Sequence, residues 1–356
     1  MVETTSSVRK RGTRGPAPTA EVNLKDVARA AGVSPGTASR VLTGRPGVSE
    51  ETRTKVMQAA DELGYVVNSL AQAMMGTGRR PLALVSTSLT DPALVELISG
   101  AEHTATENGH LFELSLTHGD LDVEGGIIET LRENRVTGVI LVGLTAPGKE
   151  SEQRIGRYAT ALASVGATLV LFGHPYLPSL PSVLTVNYDQ VGGVQKVVQH
   201  LAGLGHTRIA FLGWDNSTTS NQRFLGYSLG MNNAGLTLDS SLVLRCPNEI
   251  ADAHLATLLQ LNGDDTPTAI VCASDIIAMG VYRAARDLGI AIPGQLAVTG
   301  FGDFMCAGDL NPPLTSVSTS FYELGTRAAE LALGLADPAE RVDLPTELVI
   351  RDSTAG

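Results

Sequence analysis

The sequence is poor in cysteine and in aromatic residues. Its 356 residues contain three cysteines, one tryptophan and only 4% aromatic residues. Cys246, Cys272 and Cys306 are far apart and form no CxxC pair, so we expect buried, reduced thiols rather than disulfides or metal ligands. None of the seven histidines has HxxxH spacing with a nearby acid, and no P-loop or GxGxxG pattern is present. We therefore predict neither a metal nor another cofactor.

Long apolar runs are also missing. No stretch of 18 apolar residues occurs, so we expect no membrane-spanning helix and no membrane partner. The N-terminus has no apolar segment of the kind found in secretory signals, which predicts a cytoplasmic protein. At 43% apolar residues, the chain still has ample material for buried cores, and its length predicts two or three folding units.

Positive charge is concentrated near the N-terminus. The formal net charge is −11, but residues 1–80 hold 12 lysine and arginine residues against 7 acidic ones, a net of +5. Residues 81–356 hold 14 and 30, a net of −16. A phosphate backbone requires positive charge at its contact surface, while the acidic remainder disfavours non-specific wrapping of DNA around the rest of the protein.

Residues 23–49, NLKDVARAAGVSPGTASRVLTGRPGVS, predict two short helices joined by a tight turn. Asn23 and Ser34 are good N-caps, Gly32 can end the first helix, and Pro35 suits the first turn of the second. An alanine, Ala28, followed four residues later by Gly32 and then by a capped short helix is typical of the helix-turn-helix motif. An ordinary helical hairpin is the alternative, which the local positive charge disfavours.

The rest of the chain divides by its composition. Residues 1–21 are polar and basic and predict a disordered arm, either a solvated tail or a source of loose phosphate contacts. A third helix, starting at Ser49, completes a helical unit over 22–65, and 66–80 read as a connector. From residue 81 to 356, short apolar runs alternate with helical segments. The runs are 82–86, 111–116, 138–143, 168–173, 208–213, 269–274 and 296–301.

Such alternation predicts parallel sheets covered by helices on both faces. Because more than 270 residues are too many for one open sheet, we expect two similar α/β lobes separated by a cleft. The predicted fold is thus a small all-α helix-turn-helix domain followed by an α/β core of two parallel-sheet lobes. Ligands of such folds bind at the carboxyl ends of the strands.

The chain resembles the lactose-repressor (LacI) family of bacterial transcription regulators from Val22 to about Arg351. The matching motifs are VNLKDVARAAGVS, TASRVL, VSEETRTKV, ELGYVVN, LGHTRIAFLG, NQRFLGY, SDIIAMG and NPPLTSV. The resemblance implies a nucleoid-associated repressor that binds a roughly palindromic operator as a homodimer. It also implies that residues 81–356 form an effector-binding and dimerisation core resembling periplasmic sugar-binding proteins.

The resemblance also assigns DNA contacts. Arg40 matches a base-reading arginine, whose guanidinium can pair with guanine, and Thr37, Gly36 and Pro35 complete the base-facing set. Gly36 has no side chain to reach a base, so we expect sequence reading to depend on Arg40 and on the connector. Short polar side chains match phosphate-holding positions. They are Asn23, Ser34, Ser39, Thr43, Ser49 and Tyr65.

In the connector, Leu70, Ala71 and Met74 match a hinge helix that works in the minor groove. Met74 stands where an intercalating leucine is usual, and its apolar side chain could still wedge between base pairs. The alternative is that Met74 and Met75 pack at the dimer seam.

The resemblance places an effector site in the cleft. Its predicted residues are Ser88, Trp214, Arg223, Ser274, Asp275 and Phe321. For Arg223, the alternative is a structural arginine that spans the lobes. The family often has carboxylates where Gly173 and Gly302 stand, and an aromatic pair after Pro92. These departures leave three alternatives for the effector, namely a carbohydrate-related molecule, a non-sugar metabolite or a protein coregulator.

A hydrolase is the competing interpretation. Residues 226–230, GYSLG, match the GxSxG nucleophile elbow around Ser228, and Asp239 or Asp252 and then His254 follow in the order of a triad. The elbow requires a strand that runs into a sharp turn before the serine, whereas the residues around Ser228 read as helix. We therefore predict a chance match and no enzyme.

Overall fold

The computed structural model describes residues 22–43, 45–65, 80–143, 148–263, 266–339 and 341–355. These described residues fall into two compact units, one before residue 66 and one from residue 80 onward. The predicted arm, residues 1–21, lies outside the described residues, as do connector residues 66–79. Arg80 belongs to the second unit, since its guanidinium donates to the Val165 carbonyl (2.8 Å) and its own carbonyl bonds His110 and Thr137.

The first unit contains the three helices expected from its caps. They are α1 (Leu24–Ala30), α2 (Pro35–Leu42) and α3 (Glu50–Glu62). The Asn23 side chain accepts from the Lys25 N–H, and the Asp26 carboxylate accepts from the Asn23 N–H, which is a capping box. Small and β-branched side chains allow the helices to cross closely around one apolar core. Its buried members are Val27, Ala28, Ala38, Val41, Val56, Ala59 and Ala60.

The second unit has two lobes, each built on a six-stranded sheet. The N-lobe sheet has the order β11-β5-β4-β3-β1-β2, and its strand pairs are parallel. Its strands are β1 (Leu82–Ser86), β2 (Phe112–Leu116), β3 (Gly138–Val142), β4 (Thr168–Phe172), β5 (Leu184–Tyr188) and β11 (Val342–Leu344). Its helices are α4 (Pro92–Glu107), α5 (Leu121–Glu133), α6 (Lys149–Ala163) and α12 (Phe321–Leu333).

The C-lobe sheet has the order β12-β10-β9-β8-β6-β7, with only the β10–β12 pair antiparallel. Its strands are β6 (Ile209–Leu212), β7 (Val243–Leu244), β8 (Ala269–Cys272), β9 (Ala297–Gly302), β10 (Thr315–Ser318) and β12 (Glu347–Val349). Its helices are α7 (Gln190–Gly203), α8 (Thr218–Asn233), α9 (Ile250–Leu261), α10 (Asp275–Leu288) and the short α11 (Met305–Asp309).

The chain passes from one lobe to the other at three places in the described part of the core. The first is Asp189, between β5 and α7; the others are residues 319–320, before α12, and 345–346, between β11 and β12. The predicted architecture of two parallel-sheet lobes is confirmed, and each of the seven predicted apolar runs overlaps a strand. Five further strands are short or half polar and were not predicted; they are β5, β7, β10, β11 and β12.

The GxSxG match lies inside helix α8, so the structure contradicts the nucleophile-elbow interpretation. The Ser228 hydroxyl donates to the Phe224 carbonyl one turn earlier (2.9 Å). The two glycines of the GxSxG pattern are sites where α7 approaches α8 closely. A Cβ at Gly226 would lie 2.4 Å from the Val191 carbonyl oxygen, and one at Gly230 would lie 2.7 Å from the Val198 Cβ. The pattern therefore serves helix packing.

The three cysteines are free thiols, with Cys246 and Cys272 buried and Cys306 half-buried. Burial raises the pKa of Cys246 to about 11 and that of Cys272 well above its ordinary value. Within the described ranges, no group of histidine, cysteine and acidic side chains is arranged to hold a metal ion. None of the helices described above combines the length and the apolar character that crossing a membrane requires.

Candidate functional site

Helix α2 presents a polar face to solvent. Ala38 and Val41 are buried in the three-helix core, while Pro35, Gly36 and Arg40 are exposed. Within the described residues, the Arg40 guanidinium has no hydrogen-bond or ion-pair partner, so its donors are available to an external acceptor. Because Arg40 and Gly36 are four residues apart, they share this face.

Three of the predicted phosphate-contacting residues are N-caps. Asn23, Ser34 and Ser49 are exposed at the N-termini of α1, α2 and α3. The Ser34 oxygen accepts from the Thr37 N–H (3.1 Å), and the Ser49 oxygen accepts from the Thr52 N–H. Helix N-termini carry partial positive charge and free N–H groups, which suits them to phosphate.

The other predicted DNA-contacting side chains differ in their burial and in the hydrogen bonds that they already make within the protein. The Thr37 hydroxyl pairs with that of Ser34 (2.9 Å), and the Thr43 hydroxyl donates to the Ser39 carbonyl (2.7 Å). Tyr65 is half-buried against the three-helix core. The connector residues Leu70, Ala71 and Met74 lie outside the described residues.

A cavity of about 530 Å³ lies between the two lobes of the core. Loops that follow β1, β3 and β4 bound it on the N-lobe side, and loops that follow β6, β7 and β8 bound it on the C-lobe side. The cavity therefore sits at the carboxyl ends of both parallel sheets, where the sequence predicted a ligand site.

Four of the six predicted effector residues line this cavity. They are Ser88, Arg223, Ser274 and Phe321. The structure places Trp214 and Asp275 elsewhere. The Trp214 ring stacks on Phe224 (centroids 4.9 Å apart), lies under the Arg245 guanidinium, and donates its indole N–H to Asn221.

Asp275 points away from the cavity and into the C-lobe. Its side chain is fully buried and accepts from the Phe304 N–H (2.8 Å) and the Ser316 hydroxyl. Burial, aided by the nearby charge of Asp303, raises the pKa of Asp275 to about 6, although both hydrogen bonds oppose the rise. The preceding residue, Ser274, caps α10 and faces the cavity.

Arg223 is 8% exposed and joins the lobes at the back of the cavity. From α8 in the C-lobe it donates to the Tyr188 hydroxyl (2.9 Å) at the end of N-lobe strand β5, and also to the Gln190 side chain (3.2 Å) and the Ala273 carbonyl. Its guanidinium covers the Phe301 ring at 4.0 Å. These contacts give Arg223 the lobe-spanning role that the sequence analysis kept as the alternative, beside its place in the cavity wall.

Asp91 and Asn248 are cavity residues that the sequence analysis missed. Asp91 caps α4 by accepting from the Ala93 N–H (3.0 Å), and its other oxygen faces the Asn248 amide of the opposite lobe (3.4 Å). Ser274 donates to the Asn248 side-chain oxygen. Burial raises the pKa of Asp91, which Arg223 and the Ala93 N–H partly counteract. An aspartate before a proline, directly after a buried strand, was the available signal.

The cavity floor is aromatic. Tyr188 packs against Phe321 (centroids 5.5 Å apart) and Phe172 (6.1 Å). Gly302 has a φ of +126°, and a Cβ there would come within 2.4 Å of the Phe304 ring. A carboxylate at this position would therefore be strained and would displace Phe304.

Two family models match the chain. Residues 23–68 match "Bacterial regulatory proteins, lacI family", and residues 198–354 match "Periplasmic binding protein-like domain". The HTH-type transcriptional regulator DegA of Bacillus subtilis (strain 168) is 33% identical over 342 residues, 94% of this chain and 98% of the relative. The chain belongs to the lacI family of bacterial regulatory proteins.

Other lacI-family proteins are similar over most of their length. The ribose operon repressor of Escherichia coli (strain K12) is 31% identical over 87% of this chain and 92% of the relative. The solved lac repressor dimer bound to operator and the anti-inducer ONPF has a TM-score of 0.81 and 26% identity, covering 94% of this chain and 99% of that chain. A CelR–cellobiose complex has a TM-score of 0.67 and 28% identity, covering 93% and 99%.

Proposed function

We propose that this lacI-family regulator is a homodimeric repressor that binds a roughly palindromic operator and is controlled by a small molecule in the interlobe cavity. The observation that carries the proposal is the exposed, capped helix α2, with an unpaired Arg40, in one chain with a cavity at the carboxyl ends of two parallel sheets. Because a repressor acts where its operator DNA lies, we also place the protein in the cytoplasm, on the nucleoid.

Base reading by Arg40 is tested on operators selected by the wild-type protein from random DNA. Arg40→Ala should weaken binding to the selected site by about 1–3 kcal/mol and relax the preference at one base pair of each half-site. Lys55→Ala, which removes an exposed cation paired with Glu51 on α3, is the charge-matched control. An equal loss on every operator variant would show that Arg40 contacts phosphate alone.

Helix α9 has an exposed apolar face, and we propose that a second copy of the chain covers it. Leu255 and Leu259 lie one turn apart and are 57% and 72% exposed, and the similar lac repressor structure is described as a dimer on its operator. Leu255→Ser with Leu259→Ser should give monomers in analytical ultracentrifugation. Leu335→Ser, at a position 54% exposed elsewhere on the core, is the control. A dimer that survives the double change would place the interface elsewhere.

Control by a small molecule requires that a ligand bind the cavity and change DNA affinity. A metabolite that binds the folded core raises its unfolding temperature by mass action, and it must favour one lobe arrangement to alter DNA affinity. Trp214, the sole tryptophan, follows β6 beside the cavity loop, so its fluorescence reports binding. A metabolite screen on the full chain with both readouts, followed by operator binding, tests this. Failure of every compound would count against effector control.

A further inference from the structure

The charged groups of the cavity define which ligands it can accept, an inference that rests on the proposed effector control. Arg223 is the only arginine or lysine among the described residues that line the cavity, where Asp91, Asp215 and Glu249 are the acids. Burial lowers the pKa of His174 and raises that of Tyr188, so both side chains are neutral at pH 7.5. The lining thus has an excess of negative charge.

Arg223 does little to offset this excess. Three of its five N–H donors already serve Tyr188, Gln190 and the Ala273 carbonyl. Its charge also interacts with the Asp91 carboxylate, which is the deeply placed acid of the cavity. The two remaining donors can bond a hydroxyl or carbonyl oxygen of a ligand, but a ligand anion would have to share the guanidinium with Asp91.

One carboxylate oxygen of Asp91 lacks a closely placed hydrogen-bond donor. One carboxylate oxygen caps α4, whereas the other has only the Asn248 amide at 3.4 Å, beyond the usual range of a good hydrogen bond. The Asn248 side-chain oxygen accepts from Ser274, which holds its amide at this distance from Asp91. A carboxylate that is desolvated and under-supplied with donors favours a ligand that brings an O–H or N–H group.

We infer that the effector carries no negative charge and donates a hydrogen bond to Asp91, which makes Asp91 the residue that determines specificity. Neutral polyols and amine-bearing metabolites fit this class, while phosphorylated or carboxylate-bearing metabolites do not. Exposed Asp215 and Glu249 at the cavity rim reinforce the selection by repelling anions. The ligand donor takes the place of the Asn248 amide, so binding replaces a contact between the lobes with one made by the ligand.

The test screens the full-length protein by thermal shift against metabolites in three groups: amines, neutral polyols, and phosphates with carboxylates. The compounds include one matched set with a member in each group, namely glucosamine, glucose and glucose 6-phosphate. The tightest ligand is then titrated by Trp214 fluorescence into the wild type, Asp91→Asn and the exposed control Asp122→Asn. Asparagine remains a good N-cap, so Asp91→Asn keeps α4 intact while removing the charge.

We expect the tightest ligand to be neutral or cationic, with a Kd raised about tenfold or more by Asp91→Asn and unchanged by Asp122→Asn. An anionic tightest ligand, or an unchanged Kd in Asp91→Asn, would overturn the inference while leaving effector control intact. If no compound in any group stabilises the protein, effector control fails, and the inference fails with it.

Discussion

Replacing Asp275 with asparagine should make the stability of the core less dependent on pH. The Asp275 carboxyl is fully buried, and its pKa is raised from 3.8 to about 6. The folded core therefore holds this proton more tightly than the unfolded chain does. The stabilisation is fully present below pH 3.8 and is lost as the pH rises through about 6. Between pH 5 and pH 8 the loss from this one group is about 1.4 kcal/mol.

Asparagine does not titrate, so this pH-dependent loss is absent from the Asp275→Asn variant. The Phe304 N–H and the Ser316 hydroxyl donate to different oxygens of the carboxylate. Asparagine replaces one of these oxygens with an NH2 group, which cannot accept, and this adds a cost of similar size at each pH. The difference in unfolding free energy between variant and wild type should therefore shift by about 1.4 kcal/mol in favour of the variant from pH 5 to pH 8.

Urea unfolding followed by Trp214 fluorescence measures this difference, because the sole tryptophan lies in the same lobe as Asp275. Asp122→Asn, at an exposed carboxylate on α5, is the control and should follow the wild type at both pH values. A constant difference between Asp275→Asn and wild type across this range would show that the carboxyl is ionised at pH 5, and would refute the reasoning.

Two further predictions concern the packing of the N-lobe. Gly325→Ala should lower the free energy of unfolding by about 1–3 kcal/mol, because its Cβ would lie 2.1 Å from the Leu97 carbonyl oxygen; Gly126→Ala, in open space on α5, should raise it by roughly 0.5–1 kcal/mol. Arg154→Met should cost about 3 kcal/mol in urea unfolding at pH 7, because it leaves the fully buried Glu124 without its ionic partner and with only the Tyr158 hydroxyl bonded to its carboxylate. Adding Glu124→Gln should restore most of that loss, and failure of either contrast would contradict the packing described.

The central strands could be predicted because both of their faces are buried. Strands such as β1 and β3 are apolar throughout, so they stand out in the sequence. Strand β10, TSVS, did not, because its polar side chains are buried through specific hydrogen bonds, as at Ser316 with Asp275. Such bonds depend on partners distant in sequence, and a local pattern cannot reveal them.

The position of the cavity was predicted, but the side chains that line it were predicted only in part. Four of the six residues expected at the cleft line the cavity, and adjacent side chains there point in opposite directions. Ser274 faces the cavity as an N-cap, while Asp275, one residue on, enters the C-lobe. Asn248 follows β7, a strand of two residues that leaves almost no sequence signal. The direction in which a side chain points at the start of a helix is set by the tertiary packing around it.

The route of the chain between the lobes determines the order in which the parts of this protein can fold during synthesis. Helix α12 covers the N-lobe strands β1, β3, β4 and β5 and packs along α4, yet it emerges only after nearly all of the C-lobe. The C-lobe in turn is completed by β12 and the buried Ser353. The three-helix unit over residues 22–65 has its own core and precedes both. During synthesis the helices of residues 22–65 can therefore form before either lobe is complete, and the apolar faces of both lobes stay exposed until residues 321–353 have been added.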